Sequence, residues 1–240
     1  MPLLTGRVIL VTGASRGIGA AVAEACAAEG AKLVLVARTR GGLEEVDDRV
    51  RALGSEATLV QLDLAKGELV DALGPAVFHK HGRLDGLVAC AGQLGKLSPV
   101  PHLDPKVLER LYALNVLANH RLIRTLDPLL RASDAGRAVF LTDSHASAGP
   151  AYWGGGYGAT KAALEAMVCA WAAEAARITR LRVNLVDPGP VRTRLREDAF
   201  PGEPSGRVPT PAEVAPRIVR LLTPAWDRCG ELLKLAADPA

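Results

Sequence analysis

Seven short runs of valine, leucine, isoleucine and alanine recur along this 240-residue chain, most of them separated by longer stretches of helical composition. They fall at Arg7–Thr12, Lys32–Ala37, Ala57–Leu62, Leu84–Cys90, Arg137–Thr142, Leu181–Val186 and Glu231–Leu235. A strand with one face in water alternates apolar and polar residues, whereas these runs are nearly continuous, so both faces must be covered. A parallel sheet with helices on each side does that for every strand. Between the first two runs, Ile18–Gly30 is helical in composition and ends on a glycine suited to a C-cap. The expected fold is α/β, a doubly wound parallel sheet of about seven strands in a single domain over residues 1–240.

Two stretches interrupt the rhythm. Residues 146–156 hold four glycines and a proline, and residues 187–210 hold five prolines among charged residues. Both follow predicted strands, and the carboxyl ends of parallel strands are where ligand-binding loops gather. The site is expected there, with 187–210 as its substrate loop.

Composition excludes several other classes. The net charge of +3 comes from acids and bases mixed along the chain, without the basic stripe that a nucleic-acid partner requires. Cys26, Cys90, Cys169 and Cys229 have no Cys-x-x-Cys spacing and read as small apolar residues. Only His79 and His81 stand close together among the histidines, in a polar turn, so no metal site is expected. The apolar run Val8–Val11 is too short for a signal peptide or a membrane span, which points to a soluble, cytoplasmic protein.

Two motifs carry chemistry. The first is Thr12-Gly13-Ala14-Ser15-Arg16-Gly17-Ile18-Gly19, between the first strand and the first helix. Glycines there allow a sharp turn and the approach of a pyrophosphate to helix N-terminal amides. The second is Tyr157 with Lys161, four residues apart and so on one helix face. A cation beside a phenol favours the phenolate, so Lys161 is expected to lower the Tyr157 pKa from its usual value of roughly 10.

Further residues fit a pattern in chain order: Asp63-Leu64, Ala91-Gly92, Asn115, Ser144, then Pro188-Gly189 with Thr193. Together with the two motifs they make the chain resemble the short-chain dehydrogenase/reductase family over nearly its whole length. The resemblance implies a Rossmann-type domain that interconverts a carbonyl and a secondary alcohol with a nicotinamide cofactor and a small-molecule substrate. In it, Tyr157 is the general acid/base and Lys161 binds the nicotinamide ribose. Ser144 holds the substrate oxygen, and Asn115 orders a water behind the lysine. It further implies cofactor contacts from Gly13, Ser15, Gly17, Ile18, Gly19, Asp63, Leu64, Ala91, Gly92, Pro188, Gly189, Val191 and Thr193. Arg16 and Arg38 look like the pair that receives a 2′-phosphate, and no acid ends the second strand, so NADP(H) is expected over NAD(H).

One departure from the family pattern is Cys90, in Ala89-Cys90-Ala91-Gly92, where an asparagine is usual. Cysteine replaces the volume of that asparagine better than its hydrogen bonds. Thr193-Arg194-Leu195-Arg196 and Ala199-Phe200-Pro201-Gly202, with Trp153, are similar to the YciK-like oxidoreductases within the family. Trp153, Leu195 and Phe200, joined by Ser144 and His145, are expected to line the substrate pocket. Apolar helices around Leu103–Leu130 and Gly158–Arg177 suggest a homodimer or homotetramer, as the family commonly forms. A nucleotide-binding regulatory or scaffold protein without turnover is the alternative; epimerase or dehydratase chemistry fits less well, because such relatives carry a larger C-terminal region.

Overall fold

A computed structural model describes residues 2–149, 154–204, 206 and 208–235. The strands are β1 (Val8–Thr12), β2 (Lys32–Ala37), β3 (Ala57–Gln61), β4 (Gly86–Ala89), β5 (Arg137–Leu141), β6 (Arg182–Asp187) and β7 (Leu232–Lys234). They form one sheet in the order β3-β2-β1-β4-β5-β6-β7, and every neighbouring pair is parallel. Each lies inside one of the runs read from the sequence, save that β6 extends one residue further to Asp187. β1 sits third, beside β4 where the order reverses, and its five residues are all buried.

Alternation along β1 and β2 supplies both faces. Ile9, Val11, Leu33 and Leu35 point into one apolar layer with residues of α1 (Gly17–Ala28), α2 (Arg40–Ala52) and α10 (Pro211–Arg220). Val8, Leu10, Val34 and Val36 point into the other layer, with Leu73 and Val77 of α4 (Leu73–His81), Leu122 and Leu126 of α6 (Ala118–Ala132), and Leu164 and Val168 of α8 (Gly155–Ile178). Helix α1 ends as its composition predicts: Gly30 takes φ +79° just past the last turn, and its amide donates to Ala27 O.

The remaining helices are α3 (Gly67–Asp71), α5 (Pro105–Tyr112), α7 (Ser144–Ala148) and α9 (Arg194–Ala199). The long apolar stretch after Leu103 is not a uniform helix. Residues Ala113–Leu117 between α5 and α6 form a turn of π-helix. The glycine-rich stretch 146–156 is likewise partly helical, since α7 runs into it as far as Ala148 and α8 begins within it at Gly155. Among the described residues no helix is long and apolar enough to cross a membrane, and no group of histidines, cysteines and acids could hold a metal ion.

At the amino ends of the strands the sheet is closed by polar clamps. Asp85, fully buried, accepts from the Val8 amide at 2.9 Å and the Ser133 hydroxyl at 2.6 Å. Arg137 donates to Thr223 O, Gly136 O, Arg180 O and Pro224 O, and burial brings its pKa down to about 10. The carboxyl ends are left to the loops.

Candidate active site

The glycine turn leaves β1 at its carboxyl end with Gly13 at φ +65°. A Cβ on Gly13 would lie 3.0 Å from Ala91 Cα, and one on Gly19 would run into the Gly13 carbonyl oxygen. The turn is therefore open only to glycine, and it brings the start of α1 against the Cys90–Ala91 backbone. Ser15, Gly17 and Ile18 share this turn. No acid stands in the first turn of α1, so nothing offsets its positive end. Arg16 and Arg38 are both exposed beside it. Across from Gly17, 3.6 Å from where its Cβ would be, lies the Thr193 methyl, which brings the 187–210 loop to the same place. Val191 is buried in the adjoining core and anchors that loop.

The β4 end is tied down without the family's asparagine. The Thr12 hydroxyl accepts from Ala91 N at 3.2 Å, and Asn115 grips Gln93 twice, its Oδ1 accepting from Gln93 N at 3.0 Å and its Nδ2 donating to Gln93 O at 2.9 Å. Cys90 packs against the core, and burial pushes its thiol up to about 12. It is an inert packing residue. Asn115 lies in the π turn, 1 % exposed, and its other Nδ2 hydrogen goes to Thr160 Oγ1 at 3.0 Å. Gly92 sits against Asn115 Oδ1 and Lys161 Nζ, 3.5 and 3.9 Å from where its Cβ would be. Asp63 turns back to accept from Ala65 N at 3.1 Å, and Leu64 beside it is buried.

Ser144, Tyr157 and Lys161 come together beyond β5. Tyr157 and Lys161 are each 7 % exposed, with Lys161 Nζ 5.5 Å from the phenol ring centre and donating to Leu141 O at 3.0 Å. The expected lowering of the Tyr157 pKa is not what this arrangement produces. Burial pushes the phenol up, and the Asp143 and Asp187 carboxylates push it further. Lys161 pays the same desolvation cost: burial brings its ammonium down to about 8, against the pull of Asp143, Cys90, Glu165 and Asp187.

Ser144 begins α7, whose N-cap Asp143 accepts from Ala146 N at 3.0 Å. The Ser144 hydroxyl donates to Asp187, and Glu165 accepts from Thr142 Oγ1 at 2.6 Å and Ser147 Oγ at 2.8 Å. Thr160, Glu165 and Asp187 are residues that sequence reasoning missed. Asp187 stands directly before Pro188-Gly189, and that adjacency was the one available signal.

The expected substrate pocket is brought together only in part. Trp153 lies outside the described residues. His145 is exposed. Phe200 stacks on the Arg196 guanidinium at 3.6 Å, and Glu203 holds that guanidinium by two bonds of 2.8 and 2.7 Å. These residues enclose a cavity of about 160 Å³ within the loop, lined also by Arg192 and Pro201 but by neither Ser144 nor Tyr157. Phe200, still 49 % exposed, stacks on a residue of its own loop, because the flat guanidinium beside it offers a partner. Leu195 is half-buried in α9.

Comparison with known proteins accords with this geometry. Residues 7–204 match the family model described as short chain dehydrogenase. The chain belongs to this family. The oxidoreductase YciK of Escherichia coli K12, itself uncharacterized, is 38 % identical over 223 residues, 92 % of this chain and 87 % of that protein. Benzil reductase ((S)-benzoin forming) IRC24 of Saccharomyces cerevisiae is 34 % identical over 201 residues, 80 % of this chain and 74 % of that protein. A short chain dehydrogenase from Shigella flexneri 2a str. 301, solved as a complex with NADP, superposes with a TM-score of 0.93 at 36 % identity, covering 98 % of this chain and 99 % of the other. As a short-chain dehydrogenase the protein is an oxidoreductase acting on alcohol and carbonyl groups.

Proposed function

We propose that this short-chain dehydrogenase interconverts a carbonyl and a secondary alcohol with NADP(H), with Tyr157 as the acid/base. The observation that carries the reading is Tyr157 and Lys161 side by side on α8, with Lys161 Nζ against Gly92 and a glycine turn next to it whose Gly13 and Gly19 pack so closely on backbone that no Cβ fits. Gly13, Gly17, Gly19 and the N-terminal amides of α1 would hold the pyrophosphate. Arg16 and Arg38 would take a 2′-phosphate, with the Shigella relative's NADP in support of that choice. Asp63 and Leu64 would flank the adenine, and Ala91, Gly92, Pro188, Gly189, Val191 and Thr193 the nicotinamide half. When bound, the cofactor supplies or receives the hydride.

The chain's own part is proton transfer and positioning. Tyr157, kept protonated by its burial, donates to the carbonyl oxygen in reduction, which is the direction its raised pKa suits. Lys161, held at the Leu141 carbonyl, stands where it can meet ribose hydroxyls, and Asn115 stiffens the wall behind it. Ser144 would hold the oxygen of the alcohol form beside the phenol by accepting from its hydroxyl. The outer face of α8 exposes Ala159, Ala162, Ala166, Cys169, Ala170 and Ala173, and Leu117 is 57 % exposed. That face suits a two-fold homodimer, testable by sedimentation.

The deciding experiment is titration with NADPH and NADH, followed by energy transfer from tryptophan. Tight NADPH binding that weakens in Arg38→Ala supports the reading; binding of neither nucleotide overturns it. With benzil as first carbonyl, Tyr157→Phe is expected to keep NADPH binding and lose at least about a hundredfold in rate.

A further inference from the structure

Asp187 ends β6 immediately before the Pro188–Gly189 turn and is 9 % exposed. Its carboxylate joins two loops. Oδ2 accepts from the Ser144 amide at 3.0 Å and from the Ser144 hydroxyl, and Oδ1 accepts from the Gly189 amide at 2.8 Å. The three groups bonded to it are two amides and a hydroxyl, so the bonds orient the carboxylate without cancelling its charge.

We propose that Asp187 is a positioning residue of the reaction: it fixes the Ser144 oxygen relative to the nicotinamide loop and leaves that oxygen as an acceptor for the hydroxyl of the alcohol form. This rests on the carbonyl–alcohol reading above. A serine hydroxyl has one hydrogen. With that hydrogen committed to Asp187, Ser144 offers only lone pairs to the site, and the proton that a carbonyl needs comes from Tyr157 alone.

The same carboxylate acts on the neighbouring pair through its field. Among the described residues, the titratable groups that act on Tyr157 and Lys161 are Glu165 on α8, Asp143 before α7, Cys90 after β4, and Asp187 at the end of β6. Asp143 is occupied with the Ala146 amide, and Glu165 with Thr142 and Ser147. Of these groups, Asp187 is the one that touches Ser144 through its side chain. Its charge disfavours the Tyr157 phenolate and favours the Lys161 ammonium. Removing it therefore moves both groups toward losing their protons at lower pH, and the two effects have the same sign.

The test is the pH dependence of NADPH-driven benzil reduction in the wild type, Asp187→Asn and Ser144→Ala, with NADPH affinity and melting temperature measured beside it. In Asp187→Asn the alkaline limb is expected to move down by about one pH unit at unchanged NADPH affinity. Ser144→Ala keeps the carboxylate, so its limb is expected at the wild-type position while its rate falls. An unmoved limb in Asp187→Asn, or a limb lowered in Ser144→Ala, overturns the proposal. If Asp187→Asn does not fold, Asp187→Ser carries the same expectation, an alkaline limb lowered by about one pH unit, and an unmoved limb there overturns the proposal. If neither benzil nor any other carbonyl is reduced, the reductase reading fails separately. Ultraviolet difference titration of the phenolate in the NADP⁺ complexes, blanked against Tyr157→Phe, then reads the same downward shift or its absence.

Discussion

Replacing Thr160 by Val tests whether α8 and the π turn are held together by one hydroxyl. Thr160 is fully buried; its Oγ1 donates to Tyr157 O at 2.7 Å and accepts from Asn115 Nδ2 at 3.0 Å. Valine has the same shape and no hydroxyl, so packing is preserved and the polar account changes. Asn115 Nδ2 keeps Gln93 O at 2.9 Å, which leaves one of its two hydrogens buried without an acceptor. A buried donor left unpaired costs about 1–3 kcal/mol. At about 2 kcal/mol, a chain of this length loses about 4–8 °C in melting temperature. Thr160→Ser is the control: it keeps both bonds and removes one buried methyl, a change worth about 1 kcal/mol. The assay is thermal melting by circular dichroism with NADPH titration alongside, since a slack Asn115 loosens the Gln93 strap beside Gly92. A valine variant that melts with the wild type, or above the serine control, would refute the accounting.

Other outcomes follow from the same structure. Lys161 is buried with its pKa brought down to about 8, so between pH 8 and its ordinary value of 10.5 the unfolded chain binds the extra proton and stability rises with pH. Lys161→Met removes this term, so its melting advantage over the wild type should shrink from pH 8 to 10; a constant difference would contradict the burial cost. Arg137→Leu leaves several buried carbonyls without their donor and should lower the melting temperature by about 10 °C. It should leave NADPH affinity alone, because Arg137 closes the opposite end of the sheet. Arg196→Ala removes the stacking partner of Phe200 and two bonds to Glu203, and limited proteolysis should then cut the 194–204 segment faster at unchanged NADPH affinity.

The sheet was legible in the chain because its strands are buried on both faces. Val8–Thr12 or Arg137–Leu141 can be read as covered strands without knowing their neighbours, since continuous apolar composition is a local property. Gly30 declared the end of α1, and Tyr157 with Lys161 declared a shared helix face, for the same reason: each depends on residues a few positions apart. Strand pairing is not local. That β1 lies between β2 and β4 emerges only in the assembled sheet.

The site divides along the same line. The sequence by itself singled out the side chains proposed to bear the chemistry, Gly13 to Gly19, Ser144, Tyr157 and Lys161. Tertiary structure decided their state. Asp187 reaches Ser144 across 43 positions and Asn115 reaches Thr160 across 45. The protonation of Tyr157 is set by burial and by carboxylates on other elements, which outweigh the lysine one turn away on its own helix. Desolvation depends on everything packed around a group, and a string of neighbours in sequence does not contain it. The π turn at Ala113–Leu117 and the stacking of Phe200 on Arg196 were hidden for the same reason, since each is settled by what the folded chain places alongside.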